Sequence, residues 1–334
     1  MKYFILYISI FYFTACQLFR LQQTTMSKTS TEKQQTEVFE PVNKELYVIN
    51  SDALLYKTPD INSLGEPVNE HFATWHNIIG ESAHFYKAEE EGKIFYFLKK
   101  DMGRCEQINF TKEVLEQSDR IVVNETDREE LSNFSQFLSV TPITREEYLE
   151  KQENRADLLK KDSALHPKKD HKLVFNCKNK VVIFKDELTE EEYYDKIYYY
   201  EGNIEKLNQY VVSLLTLGWI EYILVDKTTG KQTKIKGYPY VSPDKKYIFC
   251  LIEGMDISGF MYLYEIESLS PFKIKEKLNI GFTYWTPYDD PKENDIFWDK
   301  DGNLYASINK DQCFYVDNMT RYNPLRQYIK IEIK

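Results

Sequence analysis

Short runs rich in tyrosine, phenylalanine and β-branched residues recur from about residue 45 to the end of the chain, with turn residues between them. The 334 residues include 26 Tyr and 20 Phe, which suit pleated, half-buried surfaces better than helical bundles. Apolar residues make up 42% of the chain, enough to build a buried core. The sequence therefore predicts a mainly β protein, α+β overall, with more than one module.

The charge balance excludes one class of partner. With 43 basic and 53 acidic residues, the formal net charge is −10. Nucleic-acid binding needs a basic surface against the phosphate backbone, so we expect no nucleic-acid partner. The sequence has no glycine-rich phosphate loop, Gly-x-Ser-x-Gly elbow or His-Glu-x-x-His motif. We therefore expect neither catalysis nor a cofactor.

The first 15 residues are typical of an export signal. Tyr3–Ala15 carries no charge and is shorter than the roughly 20 residues that a transmembrane helix needs. The segment ends Phe13-Thr14-Ala15-Cys16, which resembles the lipobox of bacterial lipoproteins, although Phe13 replaces the usual Leu. The resemblance implies acylation of the Cys16 sulfur and membrane attachment through that lipid anchor. A plain signal peptide with an incidental cysteine is the alternative.

Residues 16–44 are predicted to form a flexible tether behind the anchor. Met26 is the only large apolar residue between Gln23 and Glu37, so this stretch cannot bury enough surface to fold. Gln17 follows the cysteine. By resemblance to lipoprotein sorting in double-membrane bacteria, a residue other than Asp there implies the outer membrane. We expect an exported protein of the bacterial cell envelope.

Four cysteines remain after the signal: Cys105, Cys177, Cys250 and Cys313. An exported chain meets an oxidising compartment, so two disulfides in any of three pairings are open. Cys250 lies in an apolar run, Tyr247–Ile252, where a buried thiol is as reasonable as a bridge.

Residues 45–110 are predicted to form a small β-barrel-like module. Phe85–Ala88 and Ile94–Leu98 flank a hairpin loop that contains Gly92, where a positive φ is wanted. The segments Ala53–Gly65 and Phe85–Lys100 resemble bacterial Src-homology-three-like barrels. In envelope proteins, this resemblance implies binding to peptidoglycan or a partner, or a spacer role.

Residues 111–170 are predicted to be a helical, charged linker. Thr126–Glu129 and Thr144–Glu147 each match a capping box, which marks the start of a helix. Acidic and basic residues balance each other from Arg145 to Asp170, with few apolar ones between them. This pattern is typical of a solvated helix or linker.

Residues 171–334 are predicted to form a β-meander domain. Asn203–Leu217 fits either a helix or two strands with a turn near Glu205–Asn208, and the neighbouring tyrosines favour strands. A strand, the turn Thr228–Gly230 and a returning strand precede Ser242-Pro243-Asp244, and Asp301–Asn303 predicts a further hairpin turn. These phrases resemble blades of WD-repeat-like β-propellers, and this part of the chain resembles uncharacterised exported Bacteroidota proteins. The resemblance implies part of a propeller, or a meander that closes as a sandwich.

A stretch rich in aromatic and acidic residues is where we would expect a binding site. Trp285 and Tyr288 are predicted to offer stacking surfaces there. Asp289, Asp290 and Asp295 would supply a glycosidase-like carboxylate pair beside them. A polar surface turn is the plainer interpretation of the same residues.

Three histidines, His71, His76 and His84, lie close together in the sequence. A metal site would favour i, i+4 spacing on a helix, or rigid strand spacing with a carboxylate. His71 and His76 have i, i+5 spacing. We therefore expect structural or surface histidines and no metal site.

Three functional hypotheses follow from these features. The leading one is a non-catalytic lipoprotein whose β-rich body binds an envelope protein or a glycan. The second is a carbohydrate-active enzyme that uses Asp289, Asp290 or Asp295. The third is a toxin-immunity or inhibitor lipoprotein whose acidic surface covers a basic toxin.

Overall fold

A computed structural model describes residues 37–123, 127–129, 133–190, 195–216, 219–252, 260–288, 295–316 and 321–334. Within these ranges the protein is mainly β, as the sequence predicts. Cys16 and the rest of residues 1–36 lie outside the described part, so the predicted signal and most of the predicted tether are not described.

Helices are short and few in the ranges given above. They are α1 (Lys112–Leu115) and α2 (Arg145–Glu153). Brief 3-10 turns connect several strands, at Asn69–His71, Lys99–Asp101, Cys105–Gln107, Ser163–Leu165, Glu205–Leu207 and Asp311–Cys313. Across the described residues, no helix combines the length and apolar character that spanning a membrane requires.

The amino-terminal part folds into an antiparallel sheet. Its strands are β1 (Glu40–Val48), β2 (Leu54–Tyr56), β3 (Glu66–Pro67), β4 (Trp75–Glu81), β5 (Phe85–Glu90), β6 (Lys93–Leu98) and β7 (Met102–Gly103). They lie in the order β3-β2-β6-β5-β4-β1-β7. The predicted β5–β6 hairpin is confirmed, and Glu91 and Gly92 take the positive φ that a two-residue turn needs. Among the residues described, this sheet stays open at β3 and β7, so the barrel-like closure that the sequence predicts is absent.

The segment 111–170 differs from the predicted helical linker. Beside the two helices it contains β8 (Ser118–Val123), β9 (Asp127–Glu129) and β10 (Leu138–Ile143). The strand β9 lies where one capping box predicts a helix, although Thr126 itself is outside the described residues. The other capping box is confirmed at its amino end, because Thr144 Oγ1 accepts a hydrogen bond of 3.1 Å from the Glu147 backbone N–H.

Two antiparallel meanders follow a short hairpin formed by β11 (Lys172–Asn176) and β12 (Val181–Lys185). The first meander contains β13 (Lys196–Ile204), β14 (Gln209–Thr216), β15 (Trp219–Asp226) and β16 (Gln232–Ile235). The second contains β17 (Tyr240–Val241), β18 (Tyr247–Ile252), β19 (Phe260–Leu269) and β20 (Phe272–Phe282). The strand interpretation of residues 203–217 is confirmed, because a 3-10 turn separates β13 from β14.

Local turn chemistry accounts for the β15–β16 connection. Asp226 Oδ1 accepts hydrogen bonds from the backbone N–H of Thr228 at 3.0 Å and of Thr229 at 2.6 Å. Gly230 has a φ of +67°, a conformation that favours glycine. Burial opposes ionisation of Asp226, but these hydrogen bonds hold the pKa of its carboxyl below the usual value. The predicted turn at Thr228–Gly230 is thus confirmed.

The remaining strands complete the carboxy-terminal part. They are β21 (Thr286–Pro287), β22 (Ile296–Trp298), β23 (Leu304–Asn309), β24 (Tyr315–Val316), β25 (Arg321–Tyr322) and β26 (Gln327–Ile333). The β22–β23 pair confirms the predicted Asp301–Asn303 turn. Two strands of the expected linker join these sheets, because β10 pairs with β26 and β8 pairs with β20.

A continuous apolar core joins the amino-terminal and carboxy-terminal parts. One cluster of buried side chains runs from Val48 to Ile331. The rings of Phe72 and Tyr284 meet edge to face at 4.9 Å, and Gln327 Nε2 donates to the Ile108 carbonyl. Burying each large apolar side chain contributes about 1.5–3 kcal/mol. Residues 45–110 and 171–334 therefore share a core instead of being spaced apart by a linker.

A disulfide connects the same two parts. Cys105, in a 3-10 turn after β7, bonds to Cys313, and their Cα atoms are 5.8 Å apart. The thiols of Cys177 and Cys250 are buried and not disulfide-bonded within the described residues. The sequence allowed two bridges; the fold places Cys177 and Cys250 in different clusters of buried side chains.

Replacing Cys105 and Cys313 with Ser removes a link between residues 208 positions apart. We expect the free energy of unfolding to fall by about 2–5 kcal/mol, because the unfolded chain regains conformational freedom. Urea unfolding measured by tryptophan fluorescence gives this difference.

Electrophoresis supplies the control for that pairing. Without reductant, the wild-type chain should migrate faster than after reduction, and the double variant should show no such difference. Cys177→Ala should keep the wild-type behaviour, since its thiol is not bridged. Loss of the mobility difference in Cys177→Ala would contradict the Cys105–Cys313 bond.

Candidate functional site

A polar cleft of about 460 Å³ lies between α2 and the carboxy-terminal strands. Its volume falls in the range of about 300–1,000 Å³ that is typical of ligand sites. The aromatic and polar residues of its lining include Arg145, Tyr148, Gln152, Asp295, Tyr322 and Arg326. Aromatic rings and hydrogen-bonding groups thus face the same space.

Tyr148 holds α2 in place beside the cleft. It is the buried residue of an otherwise charged and exposed helix. Its ring packs 4.6 Å from Tyr328 and 5.2 Å from Phe297, and its hydroxyl donates a hydrogen bond of 2.8 Å to the Asp295 carbonyl. The helix is therefore attached to the sheet by one aromatic side chain.

A buried ion pair lies at the inner end of the cleft. Arg326 Nη1 contacts Asp295 Oδ1, and Ser307 Oγ donates to the same oxygen at 3.0 Å. The exposed fractions of the two charged side chains are 12% for Arg326 and 7% for Asp295. Both charges are thus compensated within the protein, as buried charges require.

Aromatic rings enclose the Arg326 guanidinium. Its central carbon lies 4.0 Å from the centre of the Tyr288 ring and 5.8 Å from that of Tyr322. A guanidinium over an aromatic face gains about 0.5–2 kcal/mol from the ring quadrupole. The Arg326 Nε also donates to the Asn323 carbonyl at 3.2 Å, which fixes the direction of the side chain.

The predicted stacking surfaces are buried, so the sequence expectation for Trp285 and Tyr288 was wrong. Trp285 is 1% exposed; its ring stacks on Phe282 at 3.9 Å and its Nε1 donates to the Leu115 carbonyl. Tyr288 is fully buried and stacks on Phe314 at 4.2 Å. Both rings stabilise the core, because their polar atoms find partners inside it.

The three predicted carboxylates have different outcomes. Asp289 and Asp290 lie outside the described residues. Asp295 lines the cleft, and its carboxylate is engaged by Arg326 and Ser307; its role in binding stays a prediction. A carboxylate held in an ion pair suits the positioning of other groups better than proton transfer.

Both phenols at this site stay protonated at neutral pH. Burial, reinforced by the nearby charge of Asp295, raises the pKa of Tyr148. Burial also raises the pKa of Tyr288 to about 12. Both hydroxyls therefore act as neutral hydrogen-bond donors within the protein, Tyr148 to the Asp295 carbonyl and Tyr288 to the Phe314 carbonyl.

A second constellation lies in the amino-terminal sheet. One nitrogen each of His71 and His76 and one carboxylate oxygen of Glu90 lie within 4.8 Å of one another. Burial, with a contribution from the charge of His71, lowers the pKa of His76 to about 4. The third histidine of the sequence group, His84, lies apart at the surface and pairs with Glu37 at 2.7 Å.

Comparison with known proteins adds no relative to this description. No family model matches the chain, and neither a curated protein nor a solved structure matches it. The function is therefore inferred from the sequence and from the geometry of the described residues.

Sequence reasoning missed Arg326, Tyr148 and Tyr322. Arg326 is 31 positions and Tyr148 is 147 positions from Asp295. Nothing in the local pattern marks Arg326. Tyr148 has a signal, because a lone aromatic residue in a strongly charged helix indicates the side that docks.

Arg326→Ala should reduce the free energy of unfolding by about 3–5 kcal/mol, because it leaves the buried Asp295 carboxylate without its counter-charge. The matched control is Lys234→Ala, which removes one partner of the exposed Lys234–Glu221 pair and should change stability little. Urea unfolding gives both values. A loss below about 1 kcal/mol in Arg326→Ala would mean that water already solvates the Asp295 carboxylate.

Proposed function

We propose that this chain is a lipid-anchored protein of the bacterial cell envelope that binds a partner and catalyses no reaction. The anchor is Cys16, at the end of a lipobox-like segment, and a polar tether joins it to the folded body. The tether would hold the β-rich body away from the lipid surface, where a partner can reach it. Gln17 favours the outer membrane.

The Cys105–Cys313 disulfide is the structural observation that carries this proposal. It joins two parts of the chain that already share a core, and disulfides of this kind persist in oxidising compartments. Cytosolic thiols are kept reduced. A disulfide at this position therefore supports export independently of the amino-terminal signal.

The cleft beside α2 supports binding to a glycan. The partly exposed rings of Tyr322 and Tyr328 line it, and Arg145 and Gln152, which carry donor groups, lie along the same wall. Sugars combine apolar ring faces with many hydroxyls, so aromatic rings with planar polar groups match their chemistry. The engaged state of Asp295 favours recognition over hydrolysis, because an ion-paired carboxylate is a poor general acid.

Replacement of Cys16 with Ala should abolish acyl labelling of the chain in bacterial cells and leave the signal uncut, because the sulfur that carries the lipid is gone; globomycin should leave the signal uncut as well. Metabolic labelling with a fatty-acid analogue, followed by mass spectrometry of the amino terminus, measures both effects. Cys177→Ala is the control, because that buried thiol belongs to the folded body and should leave labelling intact. A native chain that retains Met1 and carries no lipid would refute the anchor.

Arg145→Ala and Gln152→Ala should each weaken glycan binding about tenfold, which corresponds to about 1.4 kcal/mol per lost contact. An array of envelope glycans identifies the sugar, and titration of the full chain with it gives the dissociation constants. Glu146→Gln is the control, since this residue is exposed on α2 and does not line the cleft. If the two cleft variants bind the sugar as the wild type does, the site lies elsewhere.

A further inference from the structure

Three metal-ligating side chains converge at one end of the amino-terminal sheet. His71 ends the 3-10 turn Asn69–His71, His76 lies on β4, and Glu90 is the last residue of β5. One ligand atom from each lies within 4.8 Å of the other two. The i, i+5 spacing of the histidines is no obstacle, because the chain turns between them before β4 begins.

Backbone hydrogen bonds and strand register set the positions of the three Cα atoms. The His71 N–H donates to the Val68 carbonyl at 2.7 Å, and the His71 carbonyl accepts from the Thr74 N–H at 3.2 Å. In the neighbouring strands, Ile78 pairs with Ala88. Continuing that antiparallel register by two residues brings His76 opposite Glu90, at the short separation of cross-strand neighbours. The arrangement is therefore a property of the sheet and its adjoining turn.

The buried imidazole of His76 lacks a hydrogen-bond partner at one of its two nitrogens. The residue is 3% exposed, and among the described residues its Nε2 has no hydrogen-bond partner. Its Nδ1 lies 3.9 Å from Glu90 Oε2, which is longer than a hydrogen bond. A buried polar atom without a partner is rare in folded proteins and destabilises them. The nitrogen near Glu90 is thus Nδ1, and the protein leaves the opposite side of the same imidazole, Nε2, without a partner among the described residues.

An apolar aromatic ring lies beside each of the two imidazoles. Phe97 lies 5.0 Å from the His76 ring, and Phe95 lies 5.9 Å from the His71 ring. These rings offer no competing hydrogen-bond partner to the imidazoles. The Glu90 side chain is 52% exposed, so an ion could enter from solvent on that side.

We propose that His71, His76 and Glu90 form a binding site for Zn²⁺. Two imidazole nitrogens with one carboxylate oxygen is a donor set that zinc takes in proteins, with water in the remaining position. Ligands about 2.0–2.1 Å from a tetrahedral ion lie about 3.3 Å apart. Rotation of the exposed Glu90 side chain and the partly exposed His71 side chain can close a difference of up to about 1.5 Å, so the backbone need not move.

A bound ion would join the turn at Asn69–His71 to both β4 and β5. It would thus stabilise the junction of β4 and β5 where the two strands extend beyond the last residues that pair with each other, Ile78 and Ala88. Hard cations such as Mg²⁺ and Ca²⁺ prefer all-oxygen sites, so they should not replace zinc. None of its three ligands is a thiolate, so an oxidising compartment would not destroy the site. It is separate from the cleft beside α2 and does not depend on the function proposed for that cleft.

Calorimetric titration of the full chain with zinc chloride, purified in mild detergent without a histidine tag, tests the site. We expect saturable binding of one equivalent and a higher unfolding temperature when the ion is present. His71→Gln and Glu90→Gln should each weaken binding by about tenfold or more. Both residues are partly or largely exposed, so these variants should fold even if a change at the buried His76 does not.

His84→Gln is the matched control. His84 also lies beside a glutamate, Glu37, but has no second histidine near it, so its loss should change zinc affinity less than twofold. Titration with calcium chloride should give no comparable binding. Absence of saturable zinc binding, unchanged affinity in His71→Gln and Glu90→Gln, equal affinity for Ca²⁺, or loss of binding in His84→Gln would each overturn the proposal.

Discussion

Pairing between strands that are distant in sequence is the constraint on which the rest of the structure depends. β10 pairs with β26 along its whole length, and β8 pairs with β20, so residues 111–170 are part of the carboxy-terminal sheets. These pairings place α1 under Trp285 and α2 beside Asp295. The shared core and the Cys105–Cys313 bond then attach the amino-terminal sheet to the same body. Long-range strand pairing loses chain entropy first and gains stability only when the core is complete.

The two candidate sites use this framework in different ways. In the cleft, Arg326 compensates the charge of Asp295, and Arg145 and Gln152 lie along the same wall. In the histidine cluster, Nε2 of the buried His76 has no hydrogen-bond partner among the described protein groups. A compensated buried charge holds its neighbours in place, whereas an unpartnered buried atom marks a place where stability is given up.

Local sequence patterns predicted many of the strands and turns. They predicted few of the tertiary contacts between these elements. The β5–β6 hairpin, the strands on either side of Glu205–Leu207 and the Thr144 cap follow from turn residues and side-chain alternation, which act over a few positions. The linker over 111–170 was predicted from its charge, and charged residues can also lie on the solvent side of paired strands. Of the predicted binding residues that the structure describes, Asp295 alone lines the cleft, and no local pattern marked its partner Arg326.

The sequence alone determined the strand-rich character of the chain, its hairpin turns and the chemistry available to it. Propensity and turn geometry are set by neighbouring residues, so these features can be read without the fold. Only the tertiary structure decided that Trp285 and Tyr288 are core residues and that Cys105 meets Cys313. It likewise decided that His71, His76 and Glu90 share one space. Burial and proximity arise when separate sheets pack together, and no local spacing specifies which faces will meet.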